Sequence, residues 1–161
     1  KRPELFIKLA KNIDAPEWTF HLIGFADDEK YESKLAKMTE SVDNLSFEGR
    51  VDPGKDMMWY RRAGLFVNTS TAEGFPNSYI QSWIHGTPVA ALEVDPDGLI
   101  QKYGAGIQEQ DFERFSDQIE RILDKKSCRQ SMFHNARELG EKFDIERTAS
   151  NYFDIYQNLT I

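Results

Sequence analysis

Apolar positions recur along this chain in two alternating rhythms. Leu5, Phe6, Leu9 and Ile13 fall at helical spacing and stop at the turn Asp14-Ala15-Pro16. Trp18 to Ile23 is β-rich and ends at Gly24, after which Asp27-Asp28-Glu29 supply the acidic first turn of a helix carrying Tyr31, Leu35 and Met38. A strand at Leu45–Glu48 follows, then a Pro53-Gly54 turn and a short helix from about Asp56 to Ala63. Leu65-Phe66-Val67 reads as a buried strand, Asn77 to His85 as a helix closed by Gly86, and Pro88 to Leu92 as another strand before the turn Asp95-Pro96-Asp97-Gly98. A helical turn at Leu99–Tyr103 and a small strand near Ala105-Gly106-Ile107 precede three closing helices. Their apolar stripes are Phe112, Phe115, Ile119, Ile122 and Leu123; then Cys128, Met132, Ala136, Leu139 and Phe143; then Ile145, Ala149, Tyr152, Tyr156 and Leu159. Strands alternating with helices, joined by crossovers long enough for parallel pairing, predict a doubly wound α/β domain with a helical C-terminal part.

At 161 residues the chain is one domain, residues 1–161, too short for a two-domain enzyme. Twenty-seven acidic residues against 20 basic ones give a net charge of −7, which argues against coating nucleic acid or an anionic membrane. The single cysteine, Cys128, permits neither an internal disulfide nor a cysteine-based zinc site. No apolar run approaches the roughly 18 residues of a membrane span, and Lys1-Arg2-Pro3-Glu4 is not a signal peptide, so the expected location is the cytoplasm.

Several motifs invite chemistry and are better explained by structure. Gly49 to Asp56 comes within one residue of a phosphate-binding P-loop, but Asp56 replaces the hydroxyl that would meet Mg²⁺ and Pro53 removes an N–H from the cradle. Asp95-Pro96-Asp97 matches an Asp-x-Asp metal pattern, yet an acidic Pro-Gly turn accounts for it, and no metal site is expected. His85, beside Gly86, suits a helix C-terminus. No Gly-x-Gly-x-x-Gly is present, which lowers the case for NAD or FAD.

The informative segment runs from Asn68 to Ser78, where an apolar strand ends, a Gly-containing loop crosses the sheet edge and a helix begins. Gly74 permits close approach, Pro76 stiffens the entry, and the N–H groups near Asn77, Ser78 and Tyr79 lie at the positive end of a helix, where a diphosphate fits. Glu73 stands beside that position and Gln81 one turn along, both suited to hydroxyls, so the ligand type is a nucleotide sugar. An ordinary N-cap at Asn77 or Ser78 explains the same spacing, and spacing alone leaves both readings open.

Tyr60 to Asn77, with Gly86-Thr87-Pro88-Val89, strongly resembles the donor-binding half of family 4 (group 1) glycosyltransferases of the GT-B fold. The likeness covers nearly the whole chain. Lys1-Arg2-Pro3 resembles the opening of that half's first helix, Leu22-Ile23-Gly24 its second strand, Phe47 to Val51 its third, and Asp144 to Tyr156 its closing helix. The resemblance implies transfer of a sugar from a nucleotide diphosphate sugar to a glycan or lipid-linked acceptor, with retention at the anomeric carbon and no obligatory metal or other cofactor. It implies catalytic roles for Glu73, on the donor sugar, and Lys1, on phosphate charge. It places the diphosphate at Gly74, Phe75, Pro76, Asn77 and Ser78, and base and ribose near Arg50, Val51 and Gln81.

The family's usual second Glu, eight residues after the first, is Gln81 in this chain, so weaker or differently tuned nucleotide binding is expected. The acceptor domain, the first strand of the donor domain and a basic partner of Lys1 are expected upstream of residue 1. The chain is therefore expected to be a donor-binding fragment, inactive alone, of a polysaccharide-building transferase, with peripheral membrane contact only through the missing domain. A GT-B nucleotide-sugar epimerase and a degenerate binding module without activity are the two alternatives.

Overall fold

The structure is a computed structural model and describes residues 1–52 and 54–159, with Arg147 described by its backbone alone. Eight α-helices and five strands alternate: α1 (Pro3–Asn12), β1 (Phe20–Ile23), α2 (Glu29–Thr39), β2 (Leu45–Gly49), α3 (Met57–Arg62), β3 (Phe66–Asn68), α4 (Asn77–Ile84), β4 (Val89–Ala91), α5 (Leu99–Tyr103), β5 (Gly106–Gln108), α6 (Phe112–Asp124), α7 (Lys126–Gly140) and α8 (Ile145–Leu159). Short 3₁₀ turns cover Pro96–Gly98 and Glu141–Phe143. Local chemistry sets the helix starts. The Asp28 carboxylate accepts from the Lys30 and Tyr31 N–H groups at α2, and Asp111 accepts from Arg114 at α6.

Among the described residues all strand pairing is parallel, and it falls into two sheets. β1 pairs with β2, β3 with β4, and β4 with β5. Among the described residues no ladder joins the two sheets.

The middle strand β4 shows how the layers are built. Successive side chains point to opposite faces, and Ala90 and Leu92 join one core with Ile7, Leu9, Phe20, Leu45, Phe115 and Ile119. Val89 and Ala91 join the other, with Tyr79, Trp83, Ile100, Ala136 and Leu139. Helices α1 and α6 thus cover one face and α4, α5 and α7 the other, which is the doubly wound α/β architecture. The second core depends on a close helix approach. Gly140 at the end of α7 lies against the backbone of Trp83 and Ile84, where any Cβ would collide with main-chain atoms.

Most elements lie where the apolar rhythm puts them. The first strand begins at Phe20 rather than Trp18, because the Trp18 N–H turns back onto the Ala15 carbonyl and pairing starts with the Phe20 N–H on Asn44. Cys128 is exposed and leaves the α7 stripe. The Pro53-Gly54 turn lies partly outside the described residues, but Asp56 caps α3, accepting from the Gly54 and Met57 N–H groups at 3.0 and 3.1 Å. The larger correction concerns α8. Its stripe forms the expected helix but is not buried: Ile145, Tyr152 and Leu159 remain 81%, 60% and 74% exposed. Periodicity specifies which face of a helix is apolar and not what covers it.

Candidate functional site

The site is assembled at the carboxyl ends of the strands by the loop between β3 and α4. Asn68 and Ser70 are buried, and the Ser70 N–H donates to the Asn68 side-chain oxygen at 2.7 Å, folding the loop back on itself. Thr69 ties the loop to the chain start. Its hydroxyl lies 2.9 Å from both the Lys1 and Arg2 carbonyls, and its own carbonyl accepts from Arg2 Nε at 2.6 Å. Arg2 adopts left-handed backbone angles (φ 51°), and its Nη1 pairs with Glu93 at 2.7 Å just beyond β4.

This clasp brings Lys1 against Glu73, and Lys1 Nζ donates to Glu73 Oε1. Only 14% of the Glu73 side chain is exposed, against 75% for Lys1. Burial pushes the Glu73 carboxyl up, but hydrogen bonds from Lys1 and Ser70, the Lys1 charge and a hydrogen bond from Asn68 outweigh it, holding the group below the usual carboxylate range. Glu73 is therefore an anion at neutral pH, fit to accept hydrogen bonds from hydroxyls.

Next along the loop, the space beside Gly74 is open, and a Cβ there would meet nothing. Pro76 precedes α4 and no side chain caps that helix, so neither Asn77 nor Ser78 acts as the N-cap. The Tyr79 N–H, expected to be available, donates instead to the Pro76 carbonyl at 3.0 Å, which leaves the N–H groups of Asn77 and Ser78 without a side-chain cap at the positive end of the helix dipole. Asn77 is exposed and Ser78 half-buried. The Phe75 ring turns to the other side, against Trp83 and Phe143 at centroid distances of 6.5 and 5.6 Å, so its side chain braces the loop. Tyr79 anchors α4 from below. Its hydroxyl donates to the Val94 carbonyl at 3.0 Å, and burial, with the nearby Glu73 and Asp95 carboxylates, pushes that hydroxyl above the tyrosine range.

Gln81 lies half-buried on α4, with its carbonyl accepting from His85 Nδ1 at 2.9 Å. That bond places His85 at the helix C-terminus. Arg50 and Val51 follow β2, separate in the chain from the β3–α4 loop but also at strand carboxyl ends. Asp95 accepts from the Ile100 and Gln101 N–H groups at 2.8 and 3.2 Å, so its carboxylate organises the start of α5. Among the described residues no group of three or more His, Cys, Asp or Glu side chains is placed to hold a metal, and no helix is long and apolar enough to cross a membrane.

Sequence reasoning did not find the roles of Arg2, Asn68, Thr69, Glu93 and Tyr79. Their contacts join segments far apart in the chain, Arg2 to Thr69 and Arg2 to Glu93 among them, and the sole local signal is the polar run Asn68-Thr69-Ser70 directly after an apolar strand.

The family model of the group 1 glycosyl transferases matches residues 1–125, and the chain belongs to that family. It is 21% identical over 136 residues to an uncharacterized glycosyltransferase of Haemophilus influenzae, covering 82% of this chain and 38% of that protein. It is 30% identical over 102 residues to alpha-monoglucosyldiacylglycerol synthase of Streptococcus pneumoniae, covering 53% of this chain and 22% of that protein. The chain thus spans well under half the length of the curated relatives it matches. The fold matches HepE of Anabaena, solved with UDP, with a TM-score of 0.82 and 17% identity over 98% of this chain and 45% of that one. The architecture is that of the C-terminal half of a GT-B glycosyltransferase.

Proposed function

We propose that this domain binds the donor of a retaining glycosyltransferase, a nucleoside diphosphate sugar, and that the sugar passes to a glycan or lipid-linked acceptor held by a second domain of a longer polypeptide. The observation that carries the reading is the Lys1–Glu73 ion pair standing beside the uncapped start of α4. Three groups suited to a diphosphate sugar converge there: free N–H groups at a helix start, an exposed ammonium, and a carboxylate kept ionised.

In this reading the diphosphate lies against the loop Gly74 to Ser78, with the N–H groups of Gly74, Phe75, Asn77 and Ser78 as donors. Lys1 moves from Glu73 to the phosphates, neutralising the charge that grows as the nucleotide leaves. Glu73, released from Lys1, accepts hydrogen bonds from donor-sugar hydroxyls. Gln81 faces the ribose, and Arg50 and Val51 lie toward the base. The chemistry needs no metal, because the helix start and Lys1 carry the electrostatic work. Transfer requires the cleft between two domains, so the 161-residue chain binds donor and transfers nothing. The reaction belongs in the cytoplasm, in the building of polysaccharide or glycolipid, with any membrane contact made through the second domain. The UDP complex of HepE and the lipid glucosylation named for the Streptococcus pneumoniae relative support this substrate class.

A second reading, a binding module without turnover, is favoured by one feature, the amide of Gln81 where the family usually carries a carboxylate. Calorimetric titration of the folded chain with UDP, GDP, ADP and their common sugars tests both. Saturable one-to-one binding of one nucleotide is the expected result, and no binding by a folded chain overturns the donor-site reading.

A further inference from the structure

The β3–α4 loop is held at Phe75 by rings from two other segments. Phe75 stands between Gly74, which brings no side chain to anchor the loop, and Pro76, from which α4 starts. Its ring is 39% exposed. It meets Trp83 edge-on, with centroids 6.5 Å apart at 78°, and Phe143 at 5.6 Å and 54°. Phe143 in turn lies nearly flat on Trp83, at 5.8 Å and 24°. Trp83 is fully buried and its indole N–H has no acceptor among the described residues, a cost to stability that an all-carbon ring would avoid. The place of Phe143 in the chain explains why it can hold the loop. It ends the 3₁₀ turn Glu141–Phe143, directly after Gly140, whose backbone lies tight against Trp83 and Ile84. It directly precedes Asp144, whose carboxylate accepts from the Glu146 N–H at 2.8 Å at the start of α8. The ring is thus delivered to the loop by a turn fixed at both ends.

We propose that Phe143 is a positioning residue for the donor: through Phe75 it sets the backbone of the loop that receives the diphosphate. The proposal rests on the donor-site reading and deepens it, adding a residue from the C-terminal helices that touches no ligand. A loop residue beside a glycine samples many backbone conformations when its side chain is unheld, and ordering it on binding costs affinity. With its ring packed on Phe143 and Trp83, Phe75 presents its N–H in one direction before the ligand arrives. The effect falls on the diphosphate, so it is the same whatever base the nucleotide carries.

Wild type, Phe143→Leu, Phe143→Tyr, Phe75→Leu and the double variant Phe75→Leu/Phe143→Leu are titrated with inorganic pyrophosphate, and with whichever of UDP, GDP and ADP wild type binds most tightly, after circular dichroism shows that each is folded. Phe115→Leu, a change to a fully buried ring in the other core, is the control for lost stability alone. Phe143→Leu and Phe75→Leu are each expected to weaken both ligands about five-fold, the scale of one aromatic pair. The double variant is expected to lose no more than either single one, because both remove the same contact. Phe143→Tyr, which keeps the ring, and Phe115→Leu are expected to bind as wild type does. Wild-type affinity in Phe143→Leu overturns the proposal while the donor site stands. So do losses that multiply in the double variant, which mark two independent effects, and an equal loss in Phe115→Leu, which marks general loosening. A folded wild type that binds neither nucleotide nor pyrophosphate removes the donor-site reading and the role of Phe143 together.

Discussion

Lys1 and Glu73, 72 positions apart in the chain, form an ion pair at the mouth of the β3–α4 loop. The pair serves folding and function in opposite ways. It stabilises the docking of the chain start onto the loop, and in the proposed donor site it opens so that Lys1 meets phosphate.

The folding side is visible through pH. Glu73 is held below the ordinary carboxylate value of 4.5 in the folded state. A depressed carboxyl contributes stability that is present above its unfolded pKa and lost as pH falls through the folded one. Urea unfolding is therefore expected to find wild type more stable than Glu73→Gln at pH 7, with the difference shrinking below about pH 4.5 as Glu73 takes up its proton. A difference that stays constant across that window contradicts the pairing.

The extent to which this architecture is legible in the sequence follows from the range of each signal. Helix starts marked by Asp28 and Asp56 are local, and the structure places them within a residue or two of expectation. The start of α4 is local too, because Gly74, Pro76 and Asn77 sit within four positions. The clasp that orients Lys1 is not, since Arg2 reaches Thr69 and Glu93 across the sheet edge and no spacing rule encodes that. The same limit applies to α8, whose stripe is plain in sequence while its exposure depends on packing.

Gly140 makes a sharp packing prediction. A methyl group there meets main-chain atoms of Trp83 and Ile84, which cannot rotate away. Gly140→Ala is expected to destabilise the domain by about 1–3 kcal/mol, the cost of overpacking a tight contact, measured as a lowered urea midpoint. An unchanged midpoint means that α4 and α7 separate freely.

The exposed face of α8 predicts the opposite behaviour. Tyr152 and Phe153 are each about 60% exposed. The double variant Tyr152→Ser/Phe153→Ser is expected to leave the unfolding midpoint of this chain within about 0.5 kcal/mol of wild type, as surface changes do. Leu139→Ala in α7, by contrast, removes a buried side chain and costs about 2–5 kcal/mol. A large loss in the α8 variant would show that its apolar stripe already packs on the domain.

Gln81→Glu probes the ribose. If the α4 side chain at 81 faces a diol, restoring a carboxylate replaces a neutral acceptor with a charged one, roughly twice as strong, and tightens nucleotide binding about five-fold by calorimetry. Unaltered affinity means that residue 81 points elsewhere.

The central claim is that a diphosphate binds between Lys1 and the uncapped start of α4. Backbone amide shifts of the ¹⁵N-labelled chain, followed as UDP is added, test it most directly. The account predicts the largest changes at Gly74, Asn77 and Ser78, reproduced by inorganic pyrophosphate, with Arg50 and Val51 responding to UDP alone. Saturation with UDP that leaves residues 73–78 unmoved would contradict it.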